Sequence, residues 1–371
     1  MDTSDFKLKL YEPSFEAFCS DKPADKQVAV MMSGGVDSSV TAYLLQQEGF
    51  DVVGVTMRIP VACGVSSKGC CGAEAAYVCG QLGIPHYFAD VTEAFNTLVI
   101  DAFRQAYSEG RTPNPCVDCN SILKFNLFWD VVSEQLGVEN FATGHYAQVK
   151  RTEKGARLCR AINKAKDQSY FIYGIPADKV EHLYLPLGGL TKAKVREIAS
   201  EIELGVAEKA ESMELCFAGE GDYRDALGLD NADKEGDLVD MQGNKIGTHK
   251  GVANYTLGQR RGLGFAAGEP VYVGRIDPVN NIVGIGKRDE VTEKNVSAED
   301  INVLVADELF VGAKLLGKIR SGGDPRGCVV SDVSEDGFSV EFDEAVFAPC
   351  PGQRVVLYNE LDHVIAGGII N

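Results

Sequence analysis

Two groups of residues in this 371-residue sequence have the types and spacing for chemistry. The first is Ser33-Gly34-Gly35-Val36-Asp37-Ser38-Ser39, set between a short apolar run and an amphipathic one. Two adjacent glycines let the backbone turn tightly, so that successive N–H groups face one anion, and a helix that follows adds the positive end of its dipole. Ser38 and Ser39 can donate hydroxyl hydrogen bonds to the same oxygens, so the run reads as a phosphate cradle. It lacks the Gly-Lys-Ser/Thr ending of a loop that transfers a γ-phosphate. The second group is Cys116-Val117-Asp118-Cys119 together with the distant Cys216. Pro113 and Pro115 make the approach to the pair extended and rigid. A helix predicted just after the pair would lower a thiol pKa at its N-terminus. Thiolates can both carry a sulfane sulfur and attack one. Three readings stand open. Cys119 and Cys216 form a catalytic pair that hands on sulfur; or Cys116, Cys119 and Cys216 hold an iron–sulfur cluster with one iron open; or all three are small buried hydrophobes.

The other cysteines point to less. Cys63, Cys70, Cys71 and Cys79 form a cluster in the sequence, but adjacent cysteines rarely ligate one metal, and Cys79 falls at helical spacing with apolar neighbours. These read as packing residues, and Cys19, Cys159, Cys328 and Cys350 read as incidental.

The elements that position these groups follow from periodicity. Gln27–Met32 reads as a buried strand, Asp37–Glu48 as a helix stopped by Gly49, and Asp51–Met57 as a second strand. Ala73–Leu82 reads as helix, Pro85–Asp90 as extended, Glu93–Glu109 and Ile122–Leu136 as helices, and Asn140–Val149 as a strand. Such alternation implies an α/β domain with a parallel sheet covered on both faces. After about residue 217 helical periodicity fades. The runs Lys314–Arg320, Phe338–Phe342, Arg354–Tyr358 and Val364–Ile370 are short alternating strands, which suggests a small β-barrel. The expected organisation is an N-terminal extension over 1–25, a catalytic domain over 26–217, a small central domain over 218–280 and a β-barrel over 281–371.

Composition narrows the class. Hydrophobic residues make up 45%, so sizeable cores can be buried. No apolar run approaches the roughly 18–20 residues of a membrane span. The polar N-terminus carries no apolar signal core, so a cytoplasmic protein is expected, and 11 cysteines in a reducing compartment favour metal or redox chemistry over disulfide staples. The net charge of −18 argues against a general nucleic-acid binder, although a local basic face from Lys164, Lys166, Lys192, Lys194, Arg196, Arg260, Arg261, Lys318 and Arg320 is compatible with it.

The Ser33–Ser39 loop resembles the pyrophosphate loop of the ATP pyrophosphatases, which cleave between the α- and β-phosphates and adenylate a substrate. From about residue 26 to the C-terminus the chain resembles the bacterial tRNA-uridine 2-sulfurtransferase family (MnmA or TrmU). The motifs are SGGVDSS, GRTPNPCVDCN, ATGHY at 142–146, KDQSYF at 166–171, the loop ending CFAGE, YTLGQRRGLG at 255–264 and PGQ at 351–353. The resemblance implies a pyrophosphatase (PP-loop) domain, a small central tRNA-binding domain and a C-terminal β-barrel. It implies Cys119 as nucleophile and Cys216 as the cysteine that receives a persulfide. Met31, Met32, Ser33, Gly34, Gly35, Val36, Asp37, Ser38, Met57 and Gly144 match ATP contacts. Asn114, Pro115 and the position held by Cys116 match contacts to the target base. His145, Lys166, Asp167, Gln168, Arg320, Ser321 and Gln353 match tRNA contacts. Cys116 stands where some members carry an acid, so acid/base chemistry is in doubt there, and the resulting trio resembles that of 4Fe-4S tRNA thiolation enzymes.

The chemistry is coherent without the family. A carbonyl oxygen is a poor leaving group; adenylation by ATP with Mg²⁺ makes it a good one, and a persulfide on Cys216 or a cluster-held sulfide then replaces it. The implied substrates are the wobble uridines of Lys, Glu and Gln tRNAs, with sulfur from a cysteine desulfurase or a sulfur-relay protein and no membrane partner. Two rivals are an adenylating amidotransferase or synthetase, which needs no cysteine trio, and a non-catalytic iron–sulfur RNA-binding protein, which needs no ATP loop.

Overall fold

The computed structural model describes residues 3, 5–11, 17–59, 71–206, 216–217, 234–264 and 268–371. These form two compact units, one within 1–98, 116–219 and 362–364 and the other within 99–115, 220–361 and 365–371.

The first unit is built on a six-stranded sheet. Its strands are β1 (Leu10–Tyr11), β2 (Gln27–Met31), β3 (Asp51–Arg58), β4 (His86–Asp90), β5 (Asn140–Ala142) and, after the antiparallel pair β6 (Ala147–Thr152) and β7 (Gly155–Arg160), β8 (Leu183–Tyr184). The order is β1-β4-β3-β2-β5-β8, with β4, β3, β2, β5 and β8 parallel. The β-branched run of β2 is buried on both faces, as a central parallel strand requires. The chain winds from β2 outward through β3 to β4, then returns to β5 on the other side of β2. The carboxyl ends of β2 and β5 therefore flank the point where the winding reverses, which is where open α/β sheets bind ligands. The α-helices among the described residues are α1 (Val36–Gln47), α2 (Cys71–Leu82), α3 (Thr92–Phe95), α4 (Ala102–Ser108), α5 (Pro115–Asp118), α6 (Trp129–Leu136), α7 (Ser169–Ile172) and α8 (Lys192–Glu201), of which α4 belongs to the second unit. α1 and α8 share one core, in which Val36 and Val40 meet Val195 and Ile198.

The structure differs from the sequence reading at three places. The strand expected over 140–149 is two strands, because residues 143–146 leave the sheet as a loop. Each of the helices expected over 93–109 and 122–136 contains a π-helical stretch, Asn96–Asp101 and Cys119–Phe128, and the second runs back to Pro115. The N-terminal extension adds β1 to the edge of β4, with Tyr11 stacked on Phe88. That contact covers an otherwise open sheet edge.

One buried titratable group lies under the nucleotide loop. The Thr56 hydroxyl donates to the Met32 carbonyl at 2.8 Å, so it accepts from His86 Nε2–H at 2.8 Å. Burial pushes the His86 pKa from 6.5 down to about 4. The neutral ring is the folded form, so its stabilisation is complete above pH 6.5 and is lost as pH falls towards 4. Thermal unfolding should show an acid-side loss of roughly 2–3 kcal/mol from this group. His86→Gln, which cannot charge, should flatten that slope.

The second unit carries two β-structures. β9 (Gly236–Asp240), β10 (Lys245–His249), β11 (Tyr272–Asp277) and β12 (Ile282–Gly286) make a four-stranded sheet in the order β10-β9-β12-β11, so the central segment left without a class in the sequence is a β-domain. β13 (Thr292–Val303), β14 (Lys314–Lys318), β15 (Arg326–Val333), β16 (Gly337–Phe347), β17 (Arg354–Tyr358) and β18 (Val364–Ile370) close into a barrel. Val296, Val340, Phe342, Leu357 and Ile365 fill its core. No helix among the described residues is long and apolar enough to cross a membrane.

Candidate active site

The glycine loop follows β2, and Gly35 precedes the first turn of α1. Ser33 N–H donates to Ser38 Oγ at 3.2 Å, and the Ser38 and Ser39 hydroxyls donate to the Gly35 carbonyl at 3.1 and 2.9 Å. Ser39 is wholly buried, so its hydroxyl shapes the helix start instead of facing a ligand. Ser33 is exposed, and with the N-terminus of α1 it forms the open side of the loop. Met31 and Met57 are half-buried near the carboxyl ends of β2 and β3, and Met32 is buried below them.

Gly144, after β5, lies against this loop. A side chain there would come within 2.9 Å of the Asp37 carbonyl carbon and the Ser38 nitrogen, so only glycine permits the approach. The exposed Ser33 and the N-terminus of α1 beside it are what this loop offers to a nucleotide phosphate chain. Asp37, the single acid of the loop, accepts from Tyr146 Oη at 2.9 Å and from Lys192 Nζ at 2.7 and 2.8 Å on its two oxygens. Thr191 caps α8 by accepting from Lys194 N–H, which sets Lys192 at the first helical position. The sequence reading placed Lys192 on a basic face; its pairing with Asp37 was not visible there, because 155 residues separate the two.

Cys116, Cys119 and Cys216 belong to the same unit, with Cys116 on α5 and Cys119 opening the π-helical stretch. Cys119 is buried; Cys116 and Cys216 are exposed. Next to Cys216, the buried Phe217 meets Phe95 edge-on at 6.2 Å, which anchors that short piece of chain. Helix onset does not lower these thiols, contrary to the sequence expectation. Burial raises Cys119 and Cys116, and although Cys216 is exposed, the chain around its sulfur desolvates it and pushes it up to about 12. Charge on Cys119 raises Cys216 further, which places the two thiols within electrostatic reach of each other, and Lys124 opposes the rise at all three. Lys124 itself is held by Asn120 Oδ1 at 2.9 Å, and Asn120 donates to the Phe171 carbonyl. Neither residue was singled out from the sequence. Among the described residues no group of three or more His, Cys, Asp or Glu is placed to hold a metal ion. The trio as placed therefore does not present a ready cluster site.

Of the other cysteines, Cys79, Cys159, Cys328 and Cys350 are buried with raised thiol pKa values, as packing residues should be, and Cys19 is exposed. Cys63 and Cys70 lie outside the described residues, as does most of the loop before Cys216.

The residues matched to RNA fall into different environments. His145 bonds Thr143 Oγ1 through Nδ1 at 2.8 Å, and burial lowers its pKa to about 3, so it is a neutral ring. Lys166 ends a single 3-10 turn and is half-buried. The Asp167 carboxylate is enclosed, accepting from Ala161 N–H, Ser169 N–H, Ser169 Oγ and Arg160 Nε. It holds the loop that carries Lys166 and Gln168, and its carboxylate is fully engaged within the protein. Gln168 Oε1 accepts from Tyr146 N–H at 2.8 Å, joining that loop to the nucleotide side. In the second unit, Arg320 donates to the Phe347 and Ala348 carbonyls and Ser321 is exposed. Asn114 is half-buried and Pro115 buried. Gln353 Nε2 donates to the Thr112 and Pro113 carbonyls. The basic face imagined from sequence is reduced: Lys318 is buried, Lys192 serves Asp37, Lys164 pairs with Asp362 and Lys194 with Glu197.

Family models match consecutive stretches of the chain. They are the tRNA methyl transferase HUP domain over 26–220, the tRNA methyl transferase PRC-barrel domain over 225–287 and the aminomethyltransferase beta-barrel domain over 294–370. The tRNA-specific 2-thiouridylase MnmA of Clostridioides difficile is 40% identical over 93% of this chain and 98% of its own length. That of Rickettsia massiliae is 40% identical over 93% and 97%, and that of Carboxydothermus hydrogenoformans 41% over 93% and 97%. The methyl-transfer wording of the domain descriptions is absent from these relatives' names. With the match running nearly end to end in both partners, the chain belongs to the tRNA-specific 2-thiouridylase family.

Proposed function

We propose that this protein is an ATP-dependent tRNA-uridine 2-sulfurtransferase that acts in the cytoplasm on the wobble uridine of Lys, Glu and Gln tRNAs. The observation that carries this reading is the pairing, in one compact unit, of a phosphate-type loop at the sheet's reversal point with the free thiols of Cys119 and Cys216.

The loop's N–H groups and Ser33 bind the phosphates, and Gly144 keeps the opposite wall close enough for a tight fit. Mg²⁺ bound with ATP would supply positive charge to the phosphates, and Asp37 is the residue that would hold it. Adenylation turns the uridine 2-oxygen into part of a leaving AMP. The terminal sulfur of a Cys216 persulfide, supplied by a cysteine desulfurase or relay protein, bonds to C2 as AMP departs with the oxygen. Cys119 thiolate then attacks Cys216 Sγ. The S–S bond to the transferred sulfur breaks, 2-thiouridine is released, and a Cys119–Cys216 disulfide remains for an external thiol to reduce. Both thiols must lose a proton first, and with their pKa values raised the Lys124 ammonium is the group that favours that loss.

The direct test combines purified protein, ATP, unmodified tRNA and a persulfide donor, and reads tRNA-dependent pyrophosphate release with 2-thiouridine by nucleoside mass spectrometry. Release without tRNA, or no thiolated nucleoside, refutes the reading. tRNA affinity should fall linearly with salt on a log–log plot, and Lys166→Ala should reduce the slope by about 1. An affinity indifferent to salt means that the partner is not a polyanion.

A further inference from the structure

The segment that carries Asn114 and Pro115 belongs to the barrel's unit, not to the unit that holds the cysteines immediately after it. One turn of the barrel grips this segment. Thr112 N–H donates to the Pro351 carbonyl at 2.7 Å. Gln353 Nε2 donates to the Thr112 and Pro113 carbonyls at 2.9 and 3.2 Å. Gly352 has φ +91°, and a side chain on it would approach the Thr112 nitrogen to 3.0 Å and Arg111 Cβ to 3.1 Å. Arg111 pairs with Glu299 on β13 at 2.9 Å.

The gripping turn is itself rigid. Gly352 N–H donates to the Ile370 carbonyl, and Ile370 N–H returns the bond to the Gln353 carbonyl. The Gly352 carbonyl accepts from buried Arg354 at 2.7 Å. Every backbone polar group from Thr112 N–H to the Pro113 carbonyl thus has its partner in a fixed barrel turn. Pro113 and Pro115 pass that constraint along the chain, since proline fixes φ and restricts the residue before it. Pro115 is also the first residue of α5, which carries Cys116.

We infer that the Pro351–Gly352–Gln353 turn is a positioning latch: it fixes the 110–115 segment, and with it the Asn114 and Pro115 matched to the target base, and Gln353 acts through Thr112 and Pro113. The inference rests on the thiolation reading. Both donor hydrogens of Gln353 are engaged within the protein, so a direct RNA contact is not its main work.

The test uses full-length protein and three variants: Gln353→Glu, isosteric but without a donor; Gly352→Ala; and Glu299→Gln, which removes the charge that Arg111 pairs with. Three readouts are compared: single-turnover thiolation, tRNA affinity, and amide hydrogen exchange over 107–115. Gln353→Glu should slow thiolation at least about tenfold with tRNA affinity within about twofold, because misplacement by about 1 Å is enough for such a loss. Exchange over 107–115 should rise in the same variant. Glu299→Gln, which leaves the barrel turn untouched, should move both in the same direction by a smaller factor. Affinity that weakens in step with rate while exchange stays at the wild-type level overturns the latch and makes Gln353 an RNA contact. Wild-type rates in Gln353→Glu overturn it as well. A wild-type protein that forms no 2-thiouridine overturns the activity instead, a distinct result read before any variant is made.

Discussion

Asp37→Ala should abolish tRNA-dependent pyrophosphate release, with a loss of at least about 100-fold. Asp37 sits in the first turn of α1, where the helix dipole already favours an anion, and it is bound by both Tyr146 and Lys192. That is more support than a carboxylate needs for folding alone. On the proposed function the arrangement holds one negative charge where a nucleotide's metal and phosphates would dock, and keeps Lys192 beside it. A structural role predicts something different. If Asp37 only partners Lys192, whose side chain is 13% exposed, its removal leaves an under-compensated ammonium and costs about 1–3 kcal/mol of stability. Asp37→Asn separates the two cases, because it keeps an acceptor for Tyr146 and Lys192 but loses the charge. It should melt near the wild type and still release pyrophosphate poorly. Asp37→Asn with wild-type release would remove the loop from the chemistry.

What could be read from the sequence, and what could not, follows from the range of the interactions. The glycine loop was legible because its whole logic is local: a β-branched run, two glycines, and an amphipathic helix beginning within ten residues. The parallel sheet was legible for the same reason. The break in the strand expected over 140–149 was not, because it serves a contact with α1: Gly144 must approach Asp37 across the sheet. Lys192 and Lys124 looked like ordinary surface lysines, since nothing near Lys192 in the chain announces Asp37. Asp167 shows the opposite case. Its motif suggested RNA, yet four donors enclose its carboxylate, one of them Arg160 on β7, and its work is to shape the loop that presents Lys166 and Gln168. The thiol pKa values were misjudged because the helix terminus was weighed without the burial, and desolvation is the larger effect.

Cys119→Ala and Cys216→Ala should each eliminate 2-thiouridine formation, to below about one part in a thousand of the wild type, since each removes a bond-making atom. In the proposed relay neither thiol takes part in adenylation, so pyrophosphate release on tRNA should persist in both. That split, adenylation kept and sulfur transfer lost, is what locates them after activation. Cys216→Ala should also take up no sulfur from a persulfide donor, whereas Cys119→Ala should load sulfur on Cys216 and then stall as a covalent Cys216–S–S–tRNA adduct that it cannot resolve. Cys116→Ala then decides the role of the trio. No covalent step of the relay uses Cys116, and as an exposed thiol it raises rather than lowers the pKa of Cys216. Its removal should leave thiolation within about threefold of the wild type, consistent with a change in one weak electrostatic interaction. Ligation of a 4Fe-4S cluster by Cys116, Cys119 and Cys216 requires the opposite, with iron, its broad absorbance near about 400 nm and activity all lost together. Anaerobic reconstitution of the wild type, followed by iron and sulfide assays beside the same measurements on Cys116→Ala, reads this directly. Stoichiometric iron that disappears with Cys116 would replace the relay by a cluster-held sulfide, and iron-free protein that thiolates tRNA from a persulfide donor would leave Cys119 and Cys216 as the whole sulfur path.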